Sequence, residues 1–367
     1  MMRRTERIAI GLLRQALGLA QQAADDLVTE LRGLSGQEWR EVYRFTVRHF
    51  VTAVVFDAAE RLPAEVRPPR DLLLQWAVHA DKVIRDNERI AHATQSLVGL
   101  PGVQGIGITV LKGAGLASLY PRPELRESCD VDIYTGRADD FNRAVRALGI
   151  EVHDDALEHK HDCFEYCDVY FENHRSFVNS VPGRAMRRHV DNLLVGLLEG
   201  RGVRRAAPAD VPNPDFNALH IVVHTAEHFS HGAAHMRHLC DWALLLASGE
   251  VDLTLLRANI AECGLLRFAD AMTGICIDRM GLPSEAAGPV QRDRELENRV
   301  MSAIAGYDGK IMHDLQHKGW WESAVDKLRL FIDNDWRRRL VYNNRSFAHS
   351  FVKQVSQTVR YRIFGRR

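Results

Sequence analysis

A chain of 367 residues with 46% hydrophobic content is long enough for two or three packed units and has the apolar mass to fill them. Its 48 Lys plus Arg balance 48 Asp plus Glu, so no global field draws it to nucleic acid, and any polyanion contact must be local. Six scattered cysteines with no Cys-x-x-Cys pair exclude a disulfide framework and fit reduced thiols in the cytoplasm, and no run of about 18 apolar residues marks a membrane span.

The opening, "MMRRTERIAIGLLRQALGLAQQAADD", pairs a basic start with an apolar run, as a leader would. Arg14 interrupts the run, and Ile8, Leu12, Leu13, Ala16 and Leu19 recur at helical spacing, which predicts an amphipathic helix. Helical periodicity continues to about Val98, broken at "GLSGQ" and "RLPAEVRPPRD". Then the texture changes. "GVQGIGITVL" reads as a β-rich run, "GAGLASLY" as a short helix, "SCDVDIYT" as a strand, and "ADDFNRAVRALG" as a helix closed by Gly149. "IEVH" predicts a further strand, and "DCFEYCDVYFENH" one or two antiparallel strands. From Pro214 the pattern is helical again. The expectation is an α+β chain: an N-terminal helical section over 1–98, a small mixed-sheet core over 99–182, and a C-terminal helical domain over 183–367.

Within "SCDVDIYT", strand alternation turns Cys129, Val131 and Ile133 one way and Asp130 and Asp132 the other. Two like charges side by side are unfavourable without a cation between them, and carboxylate-only ligands suit Mg²⁺ or Mn²⁺. By the same reasoning, removing one of the charges should relieve repulsion in the metal-free chain. The plain alternative is a half-exposed strand with two solvated acids. The preceding "VLKGAG" favours the metal, because a strand turning through Gly113, Ala114 and Gly115 into a helix offers backbone N–H groups beside Lys112 for phosphate. No G-x-x-x-x-G-K-[ST] motif is present, so this is not a P-loop.

The stretch "VLKGAGLASLYPRPELRESCDVDIYTG" resembles the signature of an uncharacterised bacterial nucleotidyltransferase family of the DNA-polymerase-β-like superfamily, through Lys112, Gly113, Tyr120, Pro121, Pro123, Arg126, Asp130 and Asp132. The likeness extends to "VYFENH" and to "ALHIVVHTAEHF…HMRHLCDWALLL", about residues 35 to 250 in all. It implies a small mixed-sheet nucleotidyltransferase core flanked by helices, with a third acid on a strand beside the two aspartates. Glu172 is the choice and Asp168 the fallback. The implied reaction moves a nucleoside monophosphate from an NTP such as ATP to an acceptor (small molecule, sugar, peptide or protein), with Asp130, Asp132 and Glu172 holding Mg²⁺. Lys112, Gly113 and Gly115 would hold phosphates; Arg126 either neutralises leaving-group charge or braces the aspartates. Where the superfamily commonly has Gly-Ser, this chain has Lys112-Gly113, so the phosphate contact must be made differently.

Three patterns compete. "HTAEH" fits H-x-x-E-H, which would make a zinc peptidase of His224, Glu227 and His228 with Glu295 or Glu297 as a third ligand; the alternative is a helix flanking the core with some imidazoles in the cleft. "HDCFEYC" offers His161, Cys163 and Cys167 as a metal nook, against core cysteines on a strand. After Asp335 the chain carries nine basic residues and no acid, which suits either a basic amphipathic helix on an anionic membrane or an ordinary packed helix. A non-catalytic nucleotide-binding protein on the same fold is the remaining alternative.

Overall fold

The computed structural model describes residues 2–19, 24–154, 160–178, 183–206, 208–306 and 332–342. Helices α1 (Arg4–Ala16), α2 (Ala24–Leu31), α3 (Gly36–Arg48) and α4 (Thr52–Glu60) lead into the 30-residue α5 (Arg70–Gly99). The stripe read from spacing in α1 is its buried face: Ile8, Leu12, Leu13 and Ala16. A capping box starts α3, where Ser35 Oγ accepts from the Glu38 N–H at 3.2 Å and the Glu38 carboxylate accepts from the Ser35 N–H at 2.9 Å.

Five strands follow: β1 (Thr109–Val110), β2 (Val131–Tyr134), β3 (Val152–Asp154), β4 (His161–Tyr166) and β5 (Val169–His174). Their order is β1-β2-β5-β4-β3, with β2 and β5 parallel and the other pairs antiparallel. Two helices, α6 (Gly113–Ala117) and α7 (Ala138–Ala147), connect them. On one face of the sheet Val131, Ile133, Phe164 and Phe171 pack with Phe141 and Val145 of α7 and with Ile90, Ala93 and Leu97 of α5. This apolar face leaves the polar side chains of the same strands to the other.

Two sequence expectations change here. Of "GVQGIGITVL" only Thr109–Val110 forms strand, because the chain turns at Gly102 (φ 86°) and Gly105 (φ 89°), conformations that glycine takes without a Cβ clash. The hairpin β4–β5 turns through Cys167 and Asp168, both at positive φ (52° and 58°) and both exposed. Asp168 is therefore a turn residue four positions from Glu172, about 13 Å along the strand at ~3.3 Å per residue, and not a member of the polar face.

The rest is helical apart from a small hairpin. It comprises α8 (Arg184–Arg201), β6 (Val203–Arg204), β7 (Val211–Pro212), α9 (Pro214–Ser230), α10 (Met236–Ala247), α11 (Leu253–Glu262), α12 (Leu266–Ile275), α13 (Ser284–Ala287), α14 (Arg294–Ala305) and a helix Asp335–Val341. Asn213 caps α9 by accepting from the Phe216 N–H at 2.9 Å, with Pro214 at the first helical position. Leu12, Val55 and Trp76 from the first section share one apolar cluster with Phe216, Trp242 and Phe268 from the last, so the flanking helices close on each other and on the sheet. The fold is α+β, a mixed sheet flanked by helices on both sides of it in the sequence.

No helix among the described residues is long and apolar enough to cross a membrane. None of the six cysteines forms a disulfide. Most of the basic tail, from 343 on, lies outside the described residues. Before it, Arg339 pairs with Asp335 at 2.5 Å and the Arg337 guanidinium lies 5.4 Å from the Phe229 ring.

Candidate active site

Because β2 and β5 are parallel, their register sets Asp132 directly beside Glu172. Alternation adds His174, two residues on, to the same face. Asp132 is 6% exposed; it accepts from His174 Nε2 at 2.6 Å and pairs with Lys112 Nζ at 2.8 Å. Glu172 Oε2 lies 3.8 Å from His174 Nε2 and 3.5 Å from His161 Nδ1 on β4. Just ahead of β2, Asp130 is exposed and lines a cavity of about 150 Å³ together with Asp132. Asp132 and Glu172 come together through the register, with His174 as the third member of the cluster; Asp130 shares the cavity wall with Asp132, and Glu172 is not on that wall.

Their protonation differs. Burial would raise the Asp132 carboxyl, but the Lys112 ammonium and the His174 hydrogen bond override it and hold it well below the usual carboxylate range. Glu172 is pushed up to about 7, first by burial and then by the charges of Asp132 and Asp130. Burial also lowers the pKa of Lys160, whose charge lies close enough to be felt at Glu172. The carboxylate that a cation already serves is ionised; its neighbour waits for one.

Lys112, two residues past β1 and just ahead of α6, has φ 47° and ψ −116°, outside the regions that L residues favour, a strain of order 1–3 kcal/mol. Gly113 follows it on the cavity wall. Gly115 is placed otherwise than the sequence suggests. It does not line the cavity; a Cβ there would stand 3.4 Å from the Val110 carbonyl and Val211, in ordinary contact with β1 and β7. The five-residue α6 is also too short to bring much of a helix dipole to bear.

Arg126 braces neither Asp130 nor Asp132. It makes a bidentate pair with Asp241 of α10, Nε to Oδ1 at 2.9 Å and Nη2 to Oδ2 at 2.7 Å, while the Tyr120 hydroxyl donates to Oδ1 at 2.7 Å. Both ends are buried, at 4% exposure each. Although burial works against its charge, the Asp241 carboxylate keeps the guanidinium firmly protonated.

The histidines of α9 converge, but with a different third member from the one the sequence suggests. Glu297 is bound to Arg292 by two 2.7 Å contacts, so it is not a third ligand for His224 and His228. His238 of α10 takes that place instead: one ring nitrogen each from His224, His228 and His238 lies within 4.8 Å of the others. Cys167 likewise drops out of the "HDCFEYC" nook, since it sits in the exposed turn, and Glu172 joins His161 and Cys163 in its place.

A family model described as uncharacterised nucleotidyltransferase matches residues 35–281. The chain belongs to that family. No match was found among curated proteins or solved structures. Membership supports nucleotidyl transfer in general, and the matched span contains every strand of the mixed sheet together with α9 and α10.

In this nucleotidyltransferase family member, donor atoms of Asp132, Glu172 and His174 lie within 4.8 Å of one another, a set that fits a hard divalent cation through its two carboxylates. The raised Glu172 gives a pH test. Folded chain keeps the Glu172 proton up to about pH 7, while the unfolded chain loses it near 4.5, so this group's contribution is full below about pH 4.5 and is lost as pH rises to about 7. We expect Glu172→Gln, unfolded by urea in the presence of a chelator, to match wild type near pH 4.5. At pH 8 it should exceed wild type by up to about 3 kcal/mol, as linkage gives for such a shift. A difference that does not vary between these pH values would refute the coupling of Glu172 to Asp132.

Asp241 and Arg237 stand four apart, one turn on a helix face, as the Arg-x-x-x-Asp of the stretch "HMRHLCDWALLL" that the family resemblance covers, but the sequence does not show what either one meets. His174 is visible there as a strand neighbour of Glu172, but not as the donor to Asp132.

Proposed function

We propose that the chain is a metal-dependent nucleotidyltransferase that moves a nucleoside monophosphate from an NTP to an acceptor hydroxyl and releases pyrophosphate. The observation that carries the reading is the Asp132–Glu172 register pair across two parallel strands, beside a cavity that Asp130 also lines, in a chain of this family. Asp130, Asp132 and Glu172 would hold Mg²⁺ or Mn²⁺. When bound, the ion supplies charge neutralisation for the phosphate oxygens.

The chain's own groups do the rest. His174 fixes Asp132 from beneath with its 2.6 Å hydrogen bond. Glu172, set beside Asp132 by the parallel register, would take the proton of the acceptor hydroxyl as its oxygen bonds to the α-phosphorus. The bond from the α-phosphorus to the bridging oxygen breaks, and pyrophosphate leaves with the electron pair. Lys112, already 2.8 Å from Asp132, adds a fixed positive charge beside the reacting phosphate.

A thermal-shift panel of the four NTPs with Mg²⁺ or Mn²⁺ tests this. At about 100 times its Kd a ligand adds roughly 2.7 kcal/mol of stability, so at least one NTP should raise the melting temperature clearly. Pyrophosphate should then be released from that NTP once an acceptor is supplied. No shift with any of the four, with either ion, would sink the reading; a shift without pyrophosphate release across an acceptor panel would leave a nucleotide-binding protein.

A further inference from the structure

We infer that Arg237, His228 and His238 form an anion site for the pyrophosphate end of the nucleotide, on the helical side of the cavity that Asp130 and Asp132 line from the sheet. The identity of the ligand rests on the transferase reading; the site itself rests on the guanidinium of Arg237, the hydrogen bonding of His238 and the place of all three side chains on one cavity wall.

The cations expected to bind phosphate are already engaged. Lys112 is paired with Asp132, and Arg126 is locked to Asp241 through both carboxylate oxygens. Arg237 also lines the cavity, and its situation differs. It donates one N–H to the Glu127 carbonyl, its guanidinium lies 5.2 Å from the Phe50 ring, and among the described residues no carboxylate forms an ion pair with it. A guanidinium has five N–H donors in a rigid fork that matches phosphate oxygens, and most of these remain for a ligand.

Beside it stand imidazoles kept neutral by burial and by neighbouring positive charge. His238 Nδ1 accepts from the backbone N–H of His235 at 3.2 Å. In a neutral ring this fixes the proton on Nε2, so the remaining nitrogen of His238 is a donor for an anion rather than a lone pair for a metal. Nearby, the buried Nδ1 of His224 has no hydrogen-bond partner, which in a native site calls for a ligand or water. The cavity, about 150 Å³, is well below the roughly 300–1,000 Å³ of pockets that enclose a whole drug-sized ligand, and so suits a phosphate tail. Donors set there in advance stabilise the charge that grows on pyrophosphate as it leaves.

The test uses the full chain without divalent ions, titrated calorimetrically with inorganic pyrophosphate and, separately, with Zn²⁺. Wild type should bind pyrophosphate, and Arg237→Gln should weaken it about tenfold or more, the size of one lost charge-assisted hydrogen bond. Arg237→Lys should fall between, and Asp132→Asn should bind at least as well as wild type. Should Arg237→Gln melt before the titration, His228→Gln carries the same comparison. Unchanged pyrophosphate affinity in folded Arg237→Gln and His228→Gln would overturn the site. So would stoichiometric Zn²⁺ bound by wild type and lost in His238→Ala, which would make the cluster a metal centre. The two readings fail separately: NTP turnover with unaltered KM in Arg237→Gln removes the anion site and keeps the transfer, whereas pyrophosphate held through Arg237 without any NTP turnover does the reverse.

Discussion

Asp132→Asn is expected to lower NTP turnover by about a thousandfold or more while also destabilising the metal-free protein. The first effect follows from charge. The variant keeps the shape of the side chain but removes the central negative charge of the proposed ion site, and several kcal/mol of lost stabilisation is about a thousandfold at roughly 1.36 kcal/mol per decade. The second reverses what the Asp130/Asp132 pattern suggests by itself, namely relief of repulsion. In the folded chain Asp132 is the partner of Lys112 at 2.8 Å and of His174 at 2.6 Å, and the amide leaves a poorly exposed ammonium without its counter-charge. A cost of about 1–3 kcal/mol is the usual size for such a loss. Asp132 has a depressed pKa in the fold, so its contribution is present above the unfolded carboxylate value near 3.9 and is lost only as pH falls below it. Because the Asp132 charge also helps to raise Glu172, the deficit of the variant should narrow as pH rises from about 4.5 to 7 and level off above it. Turnover and urea midpoints in chelator, measured beside wild type, check both; normal turnover, or a variant more stable than wild type, would contradict the role given to Asp132.

Asp241→Asn should be the most destabilising single change near the site, at about 3–5 kcal/mol, because it strands a buried Arg126. Tyr120→Phe removes only one hydrogen bond to the same carboxylate and should cost about 0.5–1.5 kcal/mol. If the pair is a brace between the segment ahead of β2 and α10, replacing both ends with apolar groups of similar volume, Arg126→Met with Asp241→Leu, should recover most of the stability lost by Asp241→Asn. Urea unfolding of the four proteins decides it. A loss below about 1 kcal/mol for Asp241→Asn, or a double variant no better than the single, would show that the buried charges do not act as a pair.

The chain's local patterns alone determined much of this. The period of two set Asp130 and Asp132 on one cavity, and the period near 3.6 marked the buried face of α1, because each depends on residues within a turn or a pleat of one another. Family resemblance in the segment from Lys112 to Asp132 belongs with these, and the match over 35–281 agrees with it at the level of nucleotidyl transfer. Tertiary structure decided the partners. Arg126 and Asp241 are 115 positions apart, and nothing local distinguishes that arginine from one that would brace Asp130. His238 displaces Glu297 beside His224 and His228 because α9 and α10 pack as a pair and Arg292 takes Glu297 elsewhere. Asp168 leaves the polar face because β4 and β5 turn at Cys167 and Asp168, and Glu172 is the acid beside Asp132 because the parallel register puts it there. Alternation says which face a side chain takes; strand register and helix packing, set by distant contacts, say what it meets on that face.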